Sequence, residues 1–482
     1  MPLSKRGKKE LTTDSLPENY STPYDHLIPS VEDPSANFYL DLMRIYLAIY
    51  SGTLSLEDAV RIFEKQKSNP ESVKVLIDPT IIPLRETYIR KILSNLETLQ
   101  KYELKSLDAI RSAFNFAFLM EESPISPLDL DMLKYFLKNP LSTISKAASM
   151  LSVASRTVSR ALKRLRERHS VRFQSLHDPS AFGVQSALFF FRLQNTVSWD
   201  FVEDGLARFP HTKSMLKTPM SDYGYATFMF PYSSSNLSRF LSSIEQLQDE
   251  TFEHTSVHLM RASGTHFNMD LFSNEQWRFP DQATGFLHPG APLPTGIEPS
   301  LLYCKGRNPK VAPYDFEIIS QYRLDIRASP STIQKFLSLR NIEYDVRYIS
   351  RSIKRCRRNN LLLPNVSWGS LGLPNNFCFE ILCNGEWVQR ITHALELFPN
   401  SLSYISDRGI VIWIQVPGYH QVDYYQMIRN LERYESVESV ESIMTLKQKG
   451  SRSTLDLLKN WRIEKGEWTT NPDSLDLGEY IC

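Results

Sequence analysis

The chain has 482 residues, 42% of them hydrophobic, and a formal net charge of +1. This length exceeds what one compact core can organise, so several domains are expected. Because the charge is close to neutral, no general field draws in nucleic acid, and a surface for a polyanion must be local. The longest apolar runs have the length of strands and fall far short of a membrane span.

The cysteines and the N-terminus predict the cellular compartment of the protein. Five scattered cysteines lack paired spacing, which indicates a reduced, intracellular protein. The first ten residues contain no apolar segment of the kind that a secretory signal needs. We therefore predict a cytoplasmic protein without a membrane association. The DNA binding predicted below places it at the nucleoid.

The N-terminal quarter divides into a polar tail and a helical region. Residues 1–34 are rich in Pro and Ser and are predicted to be disordered, although their basic cluster could also reach DNA as an arm; the cluster is Lys5, Arg6, Lys8 and Lys9. Residues 35–122 show helical periodicity and predict a small helical domain for docking or dimerisation.

One pattern occurs twice in the rest of the chain. Residues 155–171 and 344–361 are basic amphipathic stretches that share the motif S-R-x-x-K-R, which begins at Ser159 and at Ser350. Further pairs follow in the same order, such as the Phe-Pro at Phe209 and at Phe398, with an offset between 185 and 191 residues. An ordered series at a nearly constant offset indicates an internal duplication.

The first basic stretch is the third helix of a predicted helix-turn-helix. Small residues at Ala147 and Ala148 allow two helices to cross closely, and Ser152 occupies the tight turn. The outer face of the third helix then carries groups that suit the DNA major groove and its phosphates. The predicted DNA contacts are Ser155, Arg156, Thr157, Ser159, Arg160, Lys163 and Arg164.

The second basic stretch keeps the charge but has a weaker turn. It has two extra residues near the turn, and Leu339 stands where the first copy has Ala148. We expect this copy to hold phosphates without reading bases. Its predicted contacts are Arg347, Arg351, Lys354 and Arg355.

After its three helices, each unit is predicted to continue as β-α-β-β-α-β. Taken with the two basic stretches, residues 127–272 resemble the leucine-responsive regulator (Lrp/AsnC) family. Three segments and two residue pairs carry the resemblance: 128–131 (LDLD), 147–152 (AASMLS), 157–165 (TVSRALKRL), Asp178-Pro179 and Phe182-Gly183. Residues 313–458 look like a second, weaker copy.

The resemblance implies a winged helix-turn-helix followed by a ferredoxin-like domain in each unit, dimeric DNA binding and small-molecule sensing. Two stretches depart from the family pattern: residues 222–226 (DYGYA) and 407–411 (DRGIV) lack the acid that usually follows the aromatic residue of the effector signature. An effector could therefore be a small apolar molecule, an amino acid or absent.

The predicted fold class is α+β, with an N-terminal helical domain and two repeats of winged helix-turn-helix plus ferredoxin-like βαββαβ domain. The predicted boundaries are a tail (1–34), a helical domain (35–122), helix-turn-helix 1 (123–180), ferredoxin-like domain 1 (181–284), a linker (285–312), degenerate helix-turn-helix 2 (313–370), ferredoxin-like domain 2 (371–460) and a C-terminal tail (461–482).

The predicted function is sequence-specific binding of double-stranded DNA for transcription regulation. The two units could pair within one chain as a pseudo-dimer, and the chain could also form homo-oligomers. No nucleotide-binding, metalloprotease or nucleophile-elbow motif occurs, so we predict no enzyme, no cofactor and no metal. Two alternatives remain: a nuclease that uses the same helices, and a protein-interaction or sensing module without specific DNA readout.

Overall fold

A computed structural model describes residues 21–66, 86–116, 124–217, 223–248, 250–293, 298–369, 371–373, 375–444 and 450–481. The predicted basic arm at residues 5–9 lies outside these ranges. Within them, no helix combines the length and the apolar character needed to cross a bilayer.

The N-terminal region is helical, as its periodicity predicts. Its helices share a core around Leu42, Tyr46 and Ile92, and two ion pairs join it to the rest of the molecule. Arg111 lies 3.3 Å from Glu203 of ferredoxin-like domain 1, and Lys335 of the second helix-turn-helix lies 2.5 Å from Glu57. The helices are α1 (Pro34–Ser51), α2 (Leu56–Gln66), α3 (Glu86–Lys101) and α4 (Leu107–Phe116).

The first helix-turn-helix forms as the sequence predicts. Ser126 and Thr143 cap its first two helices, each accepting a backbone N–H, and Ala147 and Ala148 are buried where the helices cross. Ser152 takes a left-handed conformation (φ 53°) in the turn. The elements are α5 (Pro127–Lys138), α6 (Ile144–Met150), α7 (Ser155–His169) and strand β1 (Arg172–His177).

Ferredoxin-like domain 1 follows with the predicted order of elements. Its last strand is 16 residues long. The elements are β2 (Val184–Leu193), α8 (Trp199–Arg208), β3 (Thr212–Lys217), β4 (Tyr223–Pro231), α9 (Ser234–Leu247), β5 (Phe252–Phe267), a small hairpin of β6 (Phe272–Ser273) and β7 (Gln276–Trp277), α10 (Asp281–Phe286) and β8 (Leu301–Tyr303).

The second unit repeats this order. Its elements are α11 (Pro313–Tyr322), α12 (Pro330–Ser338), α13 (Val346–Arg358), β9 (Leu362–Ser367), β10 (Asn375–Cys383), α14 (Gly385–Leu395), β11 (Asn400–Ser406), β12 (Gly409–Val416), α15 (Gln421–Arg429), β13 (Val437–Met444), β14 (Gly450–Ser451), α16 (Thr454–Leu458), the hairpin strands β15 (Arg462–Glu464) and β16 (Glu467–Thr469), and α17 (Gly478–Ile481).

The two helix-turn-helix units are joined by one strand from each. β1 pairs antiparallel with β9, and Arg172 lies opposite Ser367 while His177 lies opposite Leu362. Because these strands are counterparts in the repeat, the pairing is self-complementary, as at a two-fold axis between identical subunits. Each unit therefore shares its wing strand with the other unit, and a single hydrophobic core that includes Phe136, Phe173 and Phe316 spans both.

The two ferredoxin-like domains also join through their strands. In the described ranges the sheet has ten strands, in the order β13-β10-β12-β11-β5-β2-β4-β3-β14 with β8 beside β5. The second half of β5 pairs with β11 of the other domain, and β14 pairs in the same way with β3. The two ends of this strand order are β13 and β14, which follow each other in the second unit. The chain therefore closes the sheet on itself, and the two domains pair as an intramolecular pseudo-dimer.

The two units also exchange short helices. α10 of the first unit packs on α14 of the second through Ala283 and Leu287. α17 packs on α8 and α9 of the first unit through Ile481, and Leu475, in the short 3-10 helix before α17, joins the same core. The described part of the predicted C-terminal tail, residues 461–481, therefore packs on the first unit, and the predicted linker, 285–312, includes β8, which pairs with β5. The sequence did not show this because both segments are short and find their apolar partners only in the other unit.

A buried, hydrogen-bonded pair of His258 and Glu380 lies between the two halves of the sheet. His258 Nε2 is 2.5 Å from Glu380 Oε1, and the side chains are 0% and 1% exposed. The Ser406 hydroxyl lies 2.7 Å from His258 Nδ1, so both ring nitrogens have a partner. Around the pair pack aromatic and apolar side chains, among them Phe190, Tyr225 and Trp413. The pair thus links β5 of the first domain to β10 of the second.

A second buried histidine predicts a pH dependence of stability. Burial lowers the pKa of His211 from 6.5 to about 4, partly opposed by a hydrogen bond to the backbone of Met229. The folded state therefore holds this ring neutral, and its contribution to stability is complete above pH 6.5 and is lost as the pH falls towards 4. The loss from this one group amounts to about 3 kcal/mol.

We expect His211→Gln to reduce the fall in the free energy of unfolding between those two pH values, as measured by urea denaturation. His288 is exposed, so His288→Gln should leave the fall unchanged. Equal pH profiles for wild-type protein and His211→Gln would contradict the assignment.

Candidate nucleic-acid interface

Helix α7 presents a continuous polar and basic face to solvent. Its apolar face, which includes Val158, Leu162 and Leu165, is buried against α5 and α6. The opposite face exposes Ser155, Arg156, Ser159, Arg160 and Lys163, and Thr157 is half-exposed. Lys163 Nζ lies 3.7 Å from Glu167 in a solvent-exposed pair, which holds it only weakly.

Two predicted DNA contacts have a different role. Arg164 donates to both carboxylate oxygens of the buried Asp129, at 2.9 Å and 2.6 Å. Arg355 binds Asp315 in the same two-pronged way. Each arginine thus ties the third helix of its unit to the first. The side chains of Arg164 and Arg355 remain 37% and 32% exposed, so their contact with DNA stays a prediction beside this structural role at the end of the motif S-R-x-x-K-R in both copies.

Helix α13 also exposes basic groups on one face. Arg347, Arg351 and Lys354 are exposed, whereas Ile349, Ile353 and Cys356 face the core. The turn before α13 runs from Leu339 to Asp345, seven residues against the four from Leu151 to Ala154 before α7. The structure therefore shows the longer turn that the sequence predicts for the second copy.

The two third helices also begin differently. Asp345 caps α13 and accepts the Arg347 amide at 2.7 Å, so a carboxylate stands at its N-terminus. Ala154 precedes α7 and offers no side-chain cap. A negative charge at the start of α13 repels phosphates there, while the first turn of α7 carries only hydroxyl and guanidinium groups.

An aromatic run and two histidines that could suggest other functions lie in the core. Phe189, Phe190 and Phe191 are all buried, which removes them as a platform for stacking bases. In the described parts of the chain, no three His, Cys, Asp or Glu side chains cluster in a way that could hold a metal ion. His258 and His266 instead pair with Glu380 and Glu396.

Comparisons with known proteins add likenesses of fold. No family model matches the sequence, and no curated protein does. The crystal structure of the siroheme decarboxylase NirDL is similar at 12% identity and a TM-score of 0.37, over 73% of this chain and 98% of that one. A transcriptional regulator from Neisseria meningitidis, solved as a complex with L-Met, is similar at 18% identity and a TM-score of 0.22, over 28% of this chain and 89% of that one.

One prediction is overturned by these matches. The sequence contains no familiar catalytic motif, and from this we predicted that the chain is not an enzyme. A structure that matches 73% of the chain is that of a decarboxylase. The prediction that the chain is not an enzyme is therefore withdrawn.

The sequence reasoning missed a cleft between the first helix-turn-helix and the sheet. Lys134 and Lys138 line one wall, and Thr265 and Glu396 line another. A signal was available, because Glu396 lies two residues before one Phe-Pro and Ala207 lies two residues before the other. A charged residue in one copy of a repeat and a methyl group in the other marks a difference in function or packing.

Proposed function

We propose that the chain binds double-stranded DNA through helix α7 and acts as a transcription regulator in the nucleoid. The observation that carries the proposal is the exposed face of α7, which presents Arg156, Arg160 and Lys163 with hydroxyl groups between them on a rigid helix-turn-helix. A helix of this width enters the major groove with its N-terminal residues nearest the base edges.

The roles along α7 follow from position. Ser155, Arg156 and Thr157 lie in the first turn, with Ser159 and Arg160 one turn later, where an arginine can bind a guanine edge with two hydrogen bonds. Lys163 lies nearer the other end and binds the phosphate backbone, which adds affinity and salt dependence without reading sequence.

The pairing of β1 with β9 supports binding by both units of one chain. Because the pairing is self-complementary, α7 and α13 are related by a pseudo-two-fold axis, as the symmetry of duplex DNA requires. Arg347, Arg351 and Lys354 of α13 then hold phosphates of the adjoining half of the site. A second chain is not needed to supply the second helix.

The proposal is tested by the salt dependence of binding to a duplex of random sequence. We expect Lys163→Ala to weaken binding to all sequences about equally and to lower the slope of log K against log salt by roughly one. Fluorescence anisotropy of a labelled duplex between low and moderate salt measures both. Lys105→Ala, an exposed lysine in the N-terminal domain, is the matched control and should change neither.

Wild-type protein that fails to bind any duplex at low salt would refute the proposal. That result would favour the alternative in which the helix-turn-helix units make protein contacts.

A further inference from the structure

A solvent-accessible cleft lies where three parts of the molecule meet. Helix α5 contributes Lys134 and Lys138, the end of β5 contributes Thr265 and Phe267, and Glu396 follows α14. Its volume is about 170 Å³. Leu137, Met269 and Pro364 add apolar surface, so the cleft combines charged groups with an apolar wall.

The repeat places a counterpart of this cleft in the other half of the molecule. Ser214 and Ser403 each lie five residues after the Phe-Pro that ends a helix. Ser403 pairs with Gly264, and Ser214 pairs with Ser451. The next residues, Thr265 and Arg452, are therefore counterparts. By the same numbering, Glu396 is the counterpart of Ala207, since each lies two residues before its Phe-Pro.

At the counterpart position the protein places its own guanidinium group against backbone carbonyls. Arg452 donates through Nη1 to the carbonyl oxygen of Phe209 at 3.2 Å and through Nη2 to the carbonyl oxygen of Ala207. This arginine is the side chain that extends from the position of Thr265. The shorter Thr265 leaves the corresponding space open on its side.

The open cleft carries a carboxylate where its counterpart has a methyl group. Glu396 Oε1 accepts the Ser300 amide at 2.6 Å and lies 2.7 Å from His266 Nδ1. The buried His266 also lies 3.0 Å, through Nε2, from the Ser403 hydroxyl. Glu396 is thus held in one orientation from behind, and its side chain remains 20% exposed at the cleft.

The far wall of the cleft carries two lysines and one carboxylate. Lys138 Nζ lies 3.5 Å from Asp270, and Lys134 Nζ lies 4.0 Å from the same carboxylate. Two ammonium groups share one carboxylate there, which leaves net positive charge at a distance from Glu396. A ligand with a cationic end at Glu396 and an anionic end at the lysines would match both walls.

We propose that this cleft binds a small guanidinium compound, with the guanidinium group at Glu396 in the place that Arg452 occupies in the counterpart. The planar donor fork of a guanidinium matches a carboxylate and neighbouring carbonyl oxygens. The cleft touches the first helix-turn-helix through α5, the second through Pro364 and Asn365 of β9, and the sheet through β5. A bound ligand therefore contacts both helix-turn-helix units and the sheet, and stabilises their relative position.

Calorimetric titration of the full chain tests this with methylguanidine, agmatine and L-arginine as probes, each at up to roughly 10 mM. We expect all three to bind, with L-arginine tighter than agmatine because its carboxylate meets the two lysines. Glu396→Gln, which keeps an acceptor for Ser300, should weaken each at least about tenfold. Thr265→Arg supplies the missing side chain from within and should abolish binding.

The matched control is Glu245→Gln, an exposed glutamate on α9, which should bind as the wild type does. Should Thr265→Arg fail to fold, Glu396→Gln alone decides the outcome. No binding of any probe to wild-type protein would overturn the proposal, as would binding that Glu396→Gln leaves unchanged. Either result is independent of DNA binding, since the titration contains no DNA.

Discussion

Replacing Arg160 by alanine is expected to weaken binding to a preferred duplex by about 1–3 kcal/mol, a loss of roughly 5- to 150-fold in affinity. The reason is that Arg160 is exposed one turn into α7, on the face that would meet base edges, and its guanidinium is not engaged as that of Arg164 is. The loss should be much smaller on random duplex, so the ratio of specific to random affinity falls. Competition anisotropy with both duplexes measures that ratio.

Arg351 of α13 provides the matched control, since it holds the same place in the second motif. Arg351→Ala should weaken both duplexes alike and leave the ratio unchanged, because α13 begins with a carboxylate at Asp345 and follows a longer turn. If both substitutions lowered the ratio equally, the two helices would be equal readers and the asymmetry drawn here would be wrong.

Replacing Glu380 by alanine is expected to cost about 3–5 kcal/mol of stability, because it leaves His258 buried without its charged partner between two apolar sheet faces. This is the largest effect on stability that we expect from a single substitution. Urea denaturation followed by tryptophan fluorescence measures it. Glu438→Ala, at an exposed position of β13, is the control and should change stability little.

The pH dependence of the same pair has a definite sign. Burial raises the pKa of Glu380, but the hydrogen bond and charge of His258 outweigh it, so the pKa lies below its usual value of 4.5. The stability from the pair is therefore present above pH 4.5 and is lost as the pH falls through the lowered pKa. A destabilisation by Glu380→Ala that was unchanged in strong acid would contradict this.

Much of the architecture could be predicted because the same sequence pattern occurs in both copies of the repeat. The order of helices and strands, the turn at Ser152 and the longer turn before α13 all follow from local patterns of apolar and small residues. The self-pairing of β1 with β9 follows less directly. Strands that pair with their own counterparts look like ordinary strands in sequence, and only the duplication suggests that they meet.

Other features depend on contacts between residues far apart in the chain. In the sequence, Arg164 cannot be distinguished from the other basic residues of α7. Its partner Asp129 lies 35 residues earlier, and only the fold brings the two together. α17 is predicted as part of a tail because a helix of four residues is too short to have a recognisable apolar pattern. His258 and Glu380 are separated by 122 residues and meet only because the sheet closes on itself.

The central claim, that α7 reads duplex DNA, is tested most directly by selecting bound duplexes from a randomised pool with the full chain and with Arg160→Ala. The account predicts a motif enriched by the wild type, with its defined bases confined to one half of the protected duplex, and loss of that motif in Arg160→Ala. A pool that stays as random after selection as before, or a motif that Arg160→Ala enriches equally well, would contradict it.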